Sequence, residues 1–142
     1  MAEILFIAPY VELAETVREV CPGEAEIHIK AARMEEGVKL ALEAEKQGYQ
    51  VIVSRGVTSW LIKRSGVSLP VIDVLIGGYD ILRAYYKAKQ LGRLIGFVDV
   101  EQVIQGLASL EEIVGEKFVK YTVTDQLDDI ATGVAALKEA NV

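Results

Sequence analysis

Short apolar runs alternate with helical hydrophobic periods along the whole chain. The apolar runs have the length and the β-branched content of buried strands, and AEIHIKA (25–31) alternates as a half-buried strand does. Each run is followed by a helical period, so the pattern predicts βαβ units: an α/β fold of mainly parallel sheets with helices on both faces. The predicted strands cover residues 3–9, 25–31, 51–54, 69–76, 93–100 and 117–124.

The helical periods indicate which side chains face the core. Apolar residues three apart in the first helix, and at i, i+4, i+7 and i+8 in the second, are expected to share a buried face. Gly48 is expected to end the second helix. The predicted helices cover residues 11–20, 34–46, 58–65, 79–91, 101–115 and 125–140. The positions expected to face inward are Val11, Ala14, Val17 and Val20, then Met34, Val38, Ala41 and Leu42.

Gly77-Gly78 is the best internal boundary. It separates a first α/β lobe (1–77), which contains the SRGVTS loop, from a linker helix and an incomplete second lobe (78–142). The chain stops after a helical segment where a further strand is expected, which indicates C-terminal truncation. A sheet one strand short exposes an unpaired edge, so a homo-oligomer is expected.

Composition excludes several classes of function. The net charge is −6, with 15 Lys and Arg scattered among 21 Asp and Glu, so direct binding of nucleic acid is not expected. No apolar run is long enough to span a membrane, and the N-terminus lacks the basic start of a signal peptide. The single cysteine, Cys21, fits a reducing compartment. A cytoplasmic protein is therefore expected.

The sequence predicts no cofactor and no metal. There is no GxGxxG after the first strand and no GxxxxGK[ST]. His28 is expected to point outward from its strand and has no ligand-type neighbour at metal-binding spacing.

The strongest candidate for binding is the SRGVTS segment that follows the third strand. Ser54 and Arg55 end the strand, Gly56 permits a tight turn, and Thr58 or Ser59 can cap the helix. Free backbone N–H groups and the helix dipole suit a phosphate or a carboxylate there, and the guanidinium adds a charge-assisted contact. Ordinary helix capping, with Arg55 in solvent, is an equally weighted alternative.

The second candidate is the segment GGYD. The glycines permit close approach or hinge motion, Tyr79 offers a ring and a hydroxyl, and Asp80 lies in the first helical turn. A helical salt bridge between Asp80 and Arg83, with Gly78 in a plain linker, is the alternative.

Residues 51–89 carry a resemblance to a known family. SRGVT, LPVIDV and GGYDILRAY occur in the order and spacing of the N-terminal sensor domain of the propionate catabolism activators, which are NtrC-like regulators. Val57 departs from the family pattern, which often has a second glycine there. The resemblance implies ligand contacts from residues of both candidate segments: Ser54, Arg55, Gly56, Thr58, Ser59, Gly78, Tyr79 and Asp80.

The resemblance also implies a function. It implies a two-lobed sensor similar to periplasmic binding proteins, followed in the parent regulator by an ATPase domain and a DNA-binding domain. Its ligand is expected to be a small anionic metabolite, and the propionate-responsive members recognise a methylcitrate-type tricarboxylate. No catalysis is expected. The alternatives are a small isomerase or hydrolase that uses Asp80 or Asp73 as acid or base, and an oligomerisation module.

Overall fold

The computed structural model describes residues 3–92, 94–100, 106–123 and 129–140. The chain separates into two compact units, Met1–Leu75 and Ile76–Val142. Its strands are β1 Ile4–Ala8, β2 Ile27–Ala31, β3 Val51–Ser54, β4 Val71–Asp73, β5 Gly96–Val100 and β6 Val119–Val123. Its helices are α1 Val11–Val20, α2 Met34–Gln47, α3 Gly56–Arg64, α4 Gly78–Leu91, α5 Leu107–Val114 and α6 Asp129–Glu139.

The first unit is a parallel sheet with the strand order β2-β1-β3-β4. Side chains alternate across it, as they do in any strand. Leu5 and Ile7 point to one face and join a core with α2 and α3, whereas Phe6 and Ala8 point to the other face and join a core with Ala14 of α1. Helices thus cover both faces of the sheet, and the predicted fold class is confirmed.

The inward face of α1 differs from the prediction. Ala14 is buried and Val17 is half-buried, but Val11 and Val20 are 57% and 74% exposed. A spacing of three residues falls short of the helical repeat by about 60° per step, so Val11 and Val20 lie on opposite sides of the helix. The buried face is completed instead by Leu13.

Helix α2 ends as predicted, but its buried face is shifted. Gly48 has a left-handed φ of 84° and closes the helix. Ala41 is buried as expected, whereas Leu42 is 39% exposed and the core instead receives Ala44. The small residues Ala41 and Ala44 allow α2 to lie close to the sheet.

The second unit has a smaller sheet in which β5 and β6 pair in parallel. Its core contains Ile81 and Tyr85 of α4, Leu107 and Leu110 of α5, and Phe118 just before β6. The Phe118 ring lies 5.4 Å from Tyr85, measured between ring centroids. Aromatic packing therefore closes this core.

Several predicted elements are longer than the observed ones. The strand predicted at 69–76 is reduced to Val71–Asp73, and the helix predicted at 101–115 is observed from Leu107. The predicted segments 101–105 and 124–128 lie outside the described residues. Among the described residues, no helix combines the length and the apolar character that crossing a bilayer demands.

Candidate functional site

The strand order creates a crevice at the carboxyl edge of the first sheet. Because β1 lies between β2 and β3, the chain leaves β1 towards α1 on one face and leaves β3 towards α3 on the other. The segments after these two strands therefore diverge, and such a switch point is where open α/β sheets bind ligands. Tyr10, the N-cap of α1, and Arg55, the N-cap of α3, flank the crevice.

The N-terminus of α3 supplies backbone donors to this edge. The helix begins at Gly56, and Arg55 is its N-cap with no side-chain capping hydrogen bond. The first N–H groups of a helix, here those of Gly56 and Val57, have no acceptor within the helix and are therefore suited to contact a ligand. Gly56 has a left-handed φ of 64°, which strongly favours glycine at this turn. The expectation that Thr58 or Ser59 caps this helix is wrong.

Charge distinguishes α3 from the other helices of the first unit. The first turn of α1 contains Glu12 and that of α2 contains Glu35 and Glu36, whereas the first turn of α3 contains no acidic residue. An acidic side chain in the first turn compensates the positive end of the helix dipole. In α3 the first turn itself supplies no such charge, and the carboxylate that lies against this end is Asp73 of β4, bound to Ser59.

Arg55 is half-buried and has an interaction within the protein. A guanidinium carries several N–H donors, so an internal contact and a contact to a bound anion are compatible. In sequence, Arg55 directly precedes the backbone donors of the same turn. Its role in binding stays a prediction.

The three hydroxyl groups of the SRGVTS segment are buried and hydrogen-bonded within the protein. Ser54 donates to the Ile7 carbonyl oxygen over 2.7 Å, joining β3 to β1. The Thr58 hydroxyl accepts from the Met34 N–H over 3.0 Å. Ser59 donates to Oδ1 of Asp73. These side chains therefore hold the turn in place, and their predicted contact with a ligand is left as a prediction.

Asp73, one of two carboxylates considered for acid–base catalysis, has structural partners. Its second oxygen accepts from Lys63, so one carboxylate joins two side chains of α3 to the end of β4. Ser59 is fully buried and Lys63 is 44% exposed, so the pair spans the inner and outer sides of the helix. This arrangement fixes α3 against the sheet.

The GGYD segment belongs to the second unit, where α4 begins. Oδ2 of Asp80 accepts from the Gly77 N–H over 3.0 Å and so caps its own helix. A Cβ added at Gly77 or Gly78 would meet no atom within 4 Å, so packing within the protein does not demand glycine at either position. Tyr79 is 86% exposed. Together with Gly78 it lines an apolar groove of about 300 Å³ between α4 and α5.

The family model of the propionate catabolism activators matches residues 22–142. The match includes both candidate segments and most of both units. The chain belongs to the propionate catabolism activator family. It is therefore a regulatory domain of transcription activators.

The fold is also found in a solved relative. The chain is similar to an NtrC family transcriptional regulator from Clostridium acetobutylicum, whose crystal structure superposes with a TM-score of 0.81. The identity is 24%, and the alignment covers 99% of this chain and 74% of that one. This likeness establishes the fold. Comparison with curated proteins gives no match.

Sequence reasoning missed one feature at this edge of the sheet, the conformation of Met34 after β2. Tyr10, which follows β1, is 47% exposed and is the N-cap of α1. Met34 has a positive φ of 52°, unusual for a residue other than glycine, and its N–H is held by Thr58. That contact ties the segment after β2 to the segment after β3. No local sequence signal marks the positive φ of Met34 or its contact with Thr58.

Proposed function

We propose that this chain is the ligand-sensing domain of an NtrC-type transcription activator, and that it binds a small anionic metabolite at the crevice between β1 and β3. One observation carries the proposal: the turn from Arg55 to Val57 lies at the switch point of the sheet, and Arg55 provides no side-chain cap to the first N–H groups of α3. The Arg55 guanidinium is proposed to join these N–H groups in binding the anion. The absence of acidic residues from the first turn of α3 supports an anionic ligand.

The class of ligand follows from the donors. Backbone N–H groups and a guanidinium pair equally well with carboxylate and phosphate oxygens. Membership in the propionate catabolism activator family favours a carboxylate, and a methylcitrate-type tricarboxylate is the first candidate. Gly78, Tyr79 and Asp80 stay proposed ligand contacts, described within the second unit alone.

The proposed output is regulation of an ATPase domain in the parent protein. A ligand shifts a conformational equilibrium only when it binds one state more tightly than the other. An anion that binds the Arg55 turn more tightly in one conformation than in another would favour the first. The joint at Gly77-Gly78 is free of steric restraint from its surroundings, which suits such a change.

A thermal-shift screen tests this function. The probes are citrate, 2-methylcitrate, succinate and inorganic phosphate, with chloride at matched ionic strength as the control. A ligand that binds only the native state raises the melting temperature, and the rise grows with the logarithm of the ligand concentration once that exceeds the dissociation constant. We expect at least one tricarboxylate to raise it above the chloride control. No shift with any probe would contradict an anion sensor.

A further inference from the structure

Strand β2 forms one edge of the sheet in the first unit. It pairs with β1 on one side, and no strand in the portions of the chain that the structure describes pairs with its other side. An open groove of about 470 Å³ runs beside this edge, between Ile27–Lys30 and the end of α1 at Arg18 and Cys21. The backbone of β2 is therefore accessible to a further strand.

The pairing with β1 determines which backbone groups of β2 point outward. The Glu26 carbonyl accepts from the Ile4 N–H, and the Ala32 N–H donates to the Ala8 carbonyl. Because backbone direction alternates along a strand, the even-numbered residues bond to β1 and the odd-numbered residues point away from it. Ile29 therefore directs its N–H and its carbonyl to the open edge.

The sequence along this edge is self-complementary in charge. Glu26-Ile27-His28-Ile29-Lys30 carries an acid and a base at equal distances from His28. In an antiparallel pair centred on His28, Glu26 of each copy faces Lys30 of the other, and Ile27 faces Ile29. Opposite charges directly across a strand pair stabilise it, and like charges destabilise it.

Backbone direction is compatible with this register, and charge selects it among the registers that direction allows. In this pairing the outward N–H and carbonyl of Ile29 bond to the carbonyl and N–H of Ile27 in the second copy. The two residues thus form a hydrogen-bonded pair of the antiparallel ladder. Glu26 and Lys30 then face each other as a non-hydrogen-bonded pair, the kind of pair in which opposite side chains lie closest. Centring the pair on Ile29 instead would place His28 opposite Lys30 and forfeit both charge pairs. His28 is anchored on its own face by the Tyr49 hydroxyl, 2.6 Å from Nδ1.

We propose that two copies of this chain associate through β2, antiparallel and centred on His28, to form one sheet across both copies. The self-complementary charge pattern identifies a second copy as the partner, because an unrelated strand would have no reason to match it in both directions. The proposal does not depend on the identity of the ligand, since the crevice lies at the carboxyl edge of the sheet between β1 and β3.

Charge reversal at the edge tests the proposal. Sedimentation equilibrium over a wide concentration range measures self-association of the unmodified chain, of Glu26→Lys, of Lys30→Glu and of the double variant. Each single change places like charges opposite one another twice in the dimer. We expect each to weaken association by roughly tenfold, and the double variant to regain it. Glu43→Lys, an exposed change on α2 away from the edge, is the matched control and should associate like the unmodified chain.

Three results would overturn the proposal. A monomeric unmodified chain at every concentration excludes association. Association that neither single change weakens places the interface elsewhere. A double variant as weak as the single ones rejects the register centred on His28. Circular dichroism of each variant shows whether the fold is retained, so that a loss of association can be assigned to the edge.

Discussion

The two units of the chain stabilise their cores in different ways. In the first unit, aliphatic side chains from both faces of a four-stranded sheet are sealed by helices, and Ile7 and Ile52 are fully buried. The second unit has two described strands, and its core combines the aromatic Tyr85 and Phe118 with Ile81, Leu107 and Leu110 at 4–8% exposure. The candidate anion site at the Arg55 turn therefore belongs to the first unit, whose core is the more deeply buried of the two.

Charged contacts contribute more to the second unit. Glu116 accepts from the Tyr85 hydroxyl over 2.7 Å and from Lys89 over 2.6 Å, joining α4 to the segment before β6. Glu111 is nearly buried and accepts from the Phe118 N–H over 2.8 Å and from Lys120 over 3.0 Å. These contacts fasten elements that a two-stranded sheet holds weakly. The second unit should therefore respond to pH more than the first.

The largest effect is expected from a cavity in the first unit. Ile52→Ala removes a fully buried side chain from the core beneath α2 and α3, and should lower the free energy of unfolding by about 2–5 kcal/mol. Denaturant unfolding followed by the fluorescence of Trp60 on α3 measures it. Ile113→Ala, at a position 78% exposed in the second unit, is the control and should change stability by less than about 0.5 kcal/mol. Equal effects would remove the contrast between the units.

A close approach between helices gives the next effect. A Cβ at Gly37 would lie 2.5 Å from Cγ2 of Thr58, which is buried and holds Met34, so Gly37→Ala should cost about 1–3 kcal/mol. Gly133→Ala in the second unit meets the half-buried Tyr121 ring at the same distance. That ring can shift outward, so the second change should cost less. The denaturant midpoints of the two variants measure these losses of stability. A larger loss for Gly133→Ala than for Gly37→Ala would contradict the argument.

Acid should weaken the second unit first. Hydrogen bonds from the Phe118 N–H and from Lys120 lower the pKa of Glu111, and those from Lys89 and Tyr85 lower the pKa of Glu116. In the first unit, hydrogen bonds from Ser68 lower the pKa of Glu45. A lowered folded-state pKa stabilises the fold above the unfolded value near 4.5 and loses that contribution as the pH falls through the folded value.

Alkaline conditions should act on the same cluster. Glu116 raises the pKa of Lys89 and of Tyr85, so their contribution is complete below the unfolded values of 10.5 and 10.0 and is lost as the pH rises further. Hydrogen exchange by mass spectrometry, resolved by segment and corrected for the intrinsic rate, should show residues 76–140 losing protection before residues 3–75 at both extremes. Glu116→Gln should reduce this difference, whereas Glu112→Gln, an exposed change on α5, should not. Uniform loss along the chain would contradict the account.

The sequence predicted the local features of the fold better than its long-range ones. The strands and helices found in the described residues, and the closure of α2 at Gly48, follow from hydrophobic period and glycine chemistry. The order β2-β1-β3-β4 does not, because strand pairing is decided by contacts between distant residues. The exposed Val20 and Leu42 show the same limit: an apolar residue at helical spacing is buried only where a neighbouring element covers it.

The candidate site was predicted in position but not in detail. SRGVTS lies at the end of β3 as expected, and its glycine has the turn conformation that the pattern suggested. The hydroxyls of Ser54, Thr58 and Ser59 nevertheless bond to Ile7, Met34 and Asp73, because only the folded chain brings those groups near. Residue type alone could not divide the segment into scaffold and binding groups.

The most direct test of an anion site at the Arg55 turn is calorimetric titration of the tricarboxylate that gives the largest thermal shift. Arg55→Ala should weaken its binding by about tenfold or more, since a charge-assisted contact contributes about 1.5–3 kcal/mol. Arg64→Ala is the matched control: it removes the same charge from the other end of α3, where Arg64 lies 4.6 Å from the Trp60 ring centroid, and should leave binding unchanged. Equal affinity of Arg55→Ala and the unmodified chain would contradict the account.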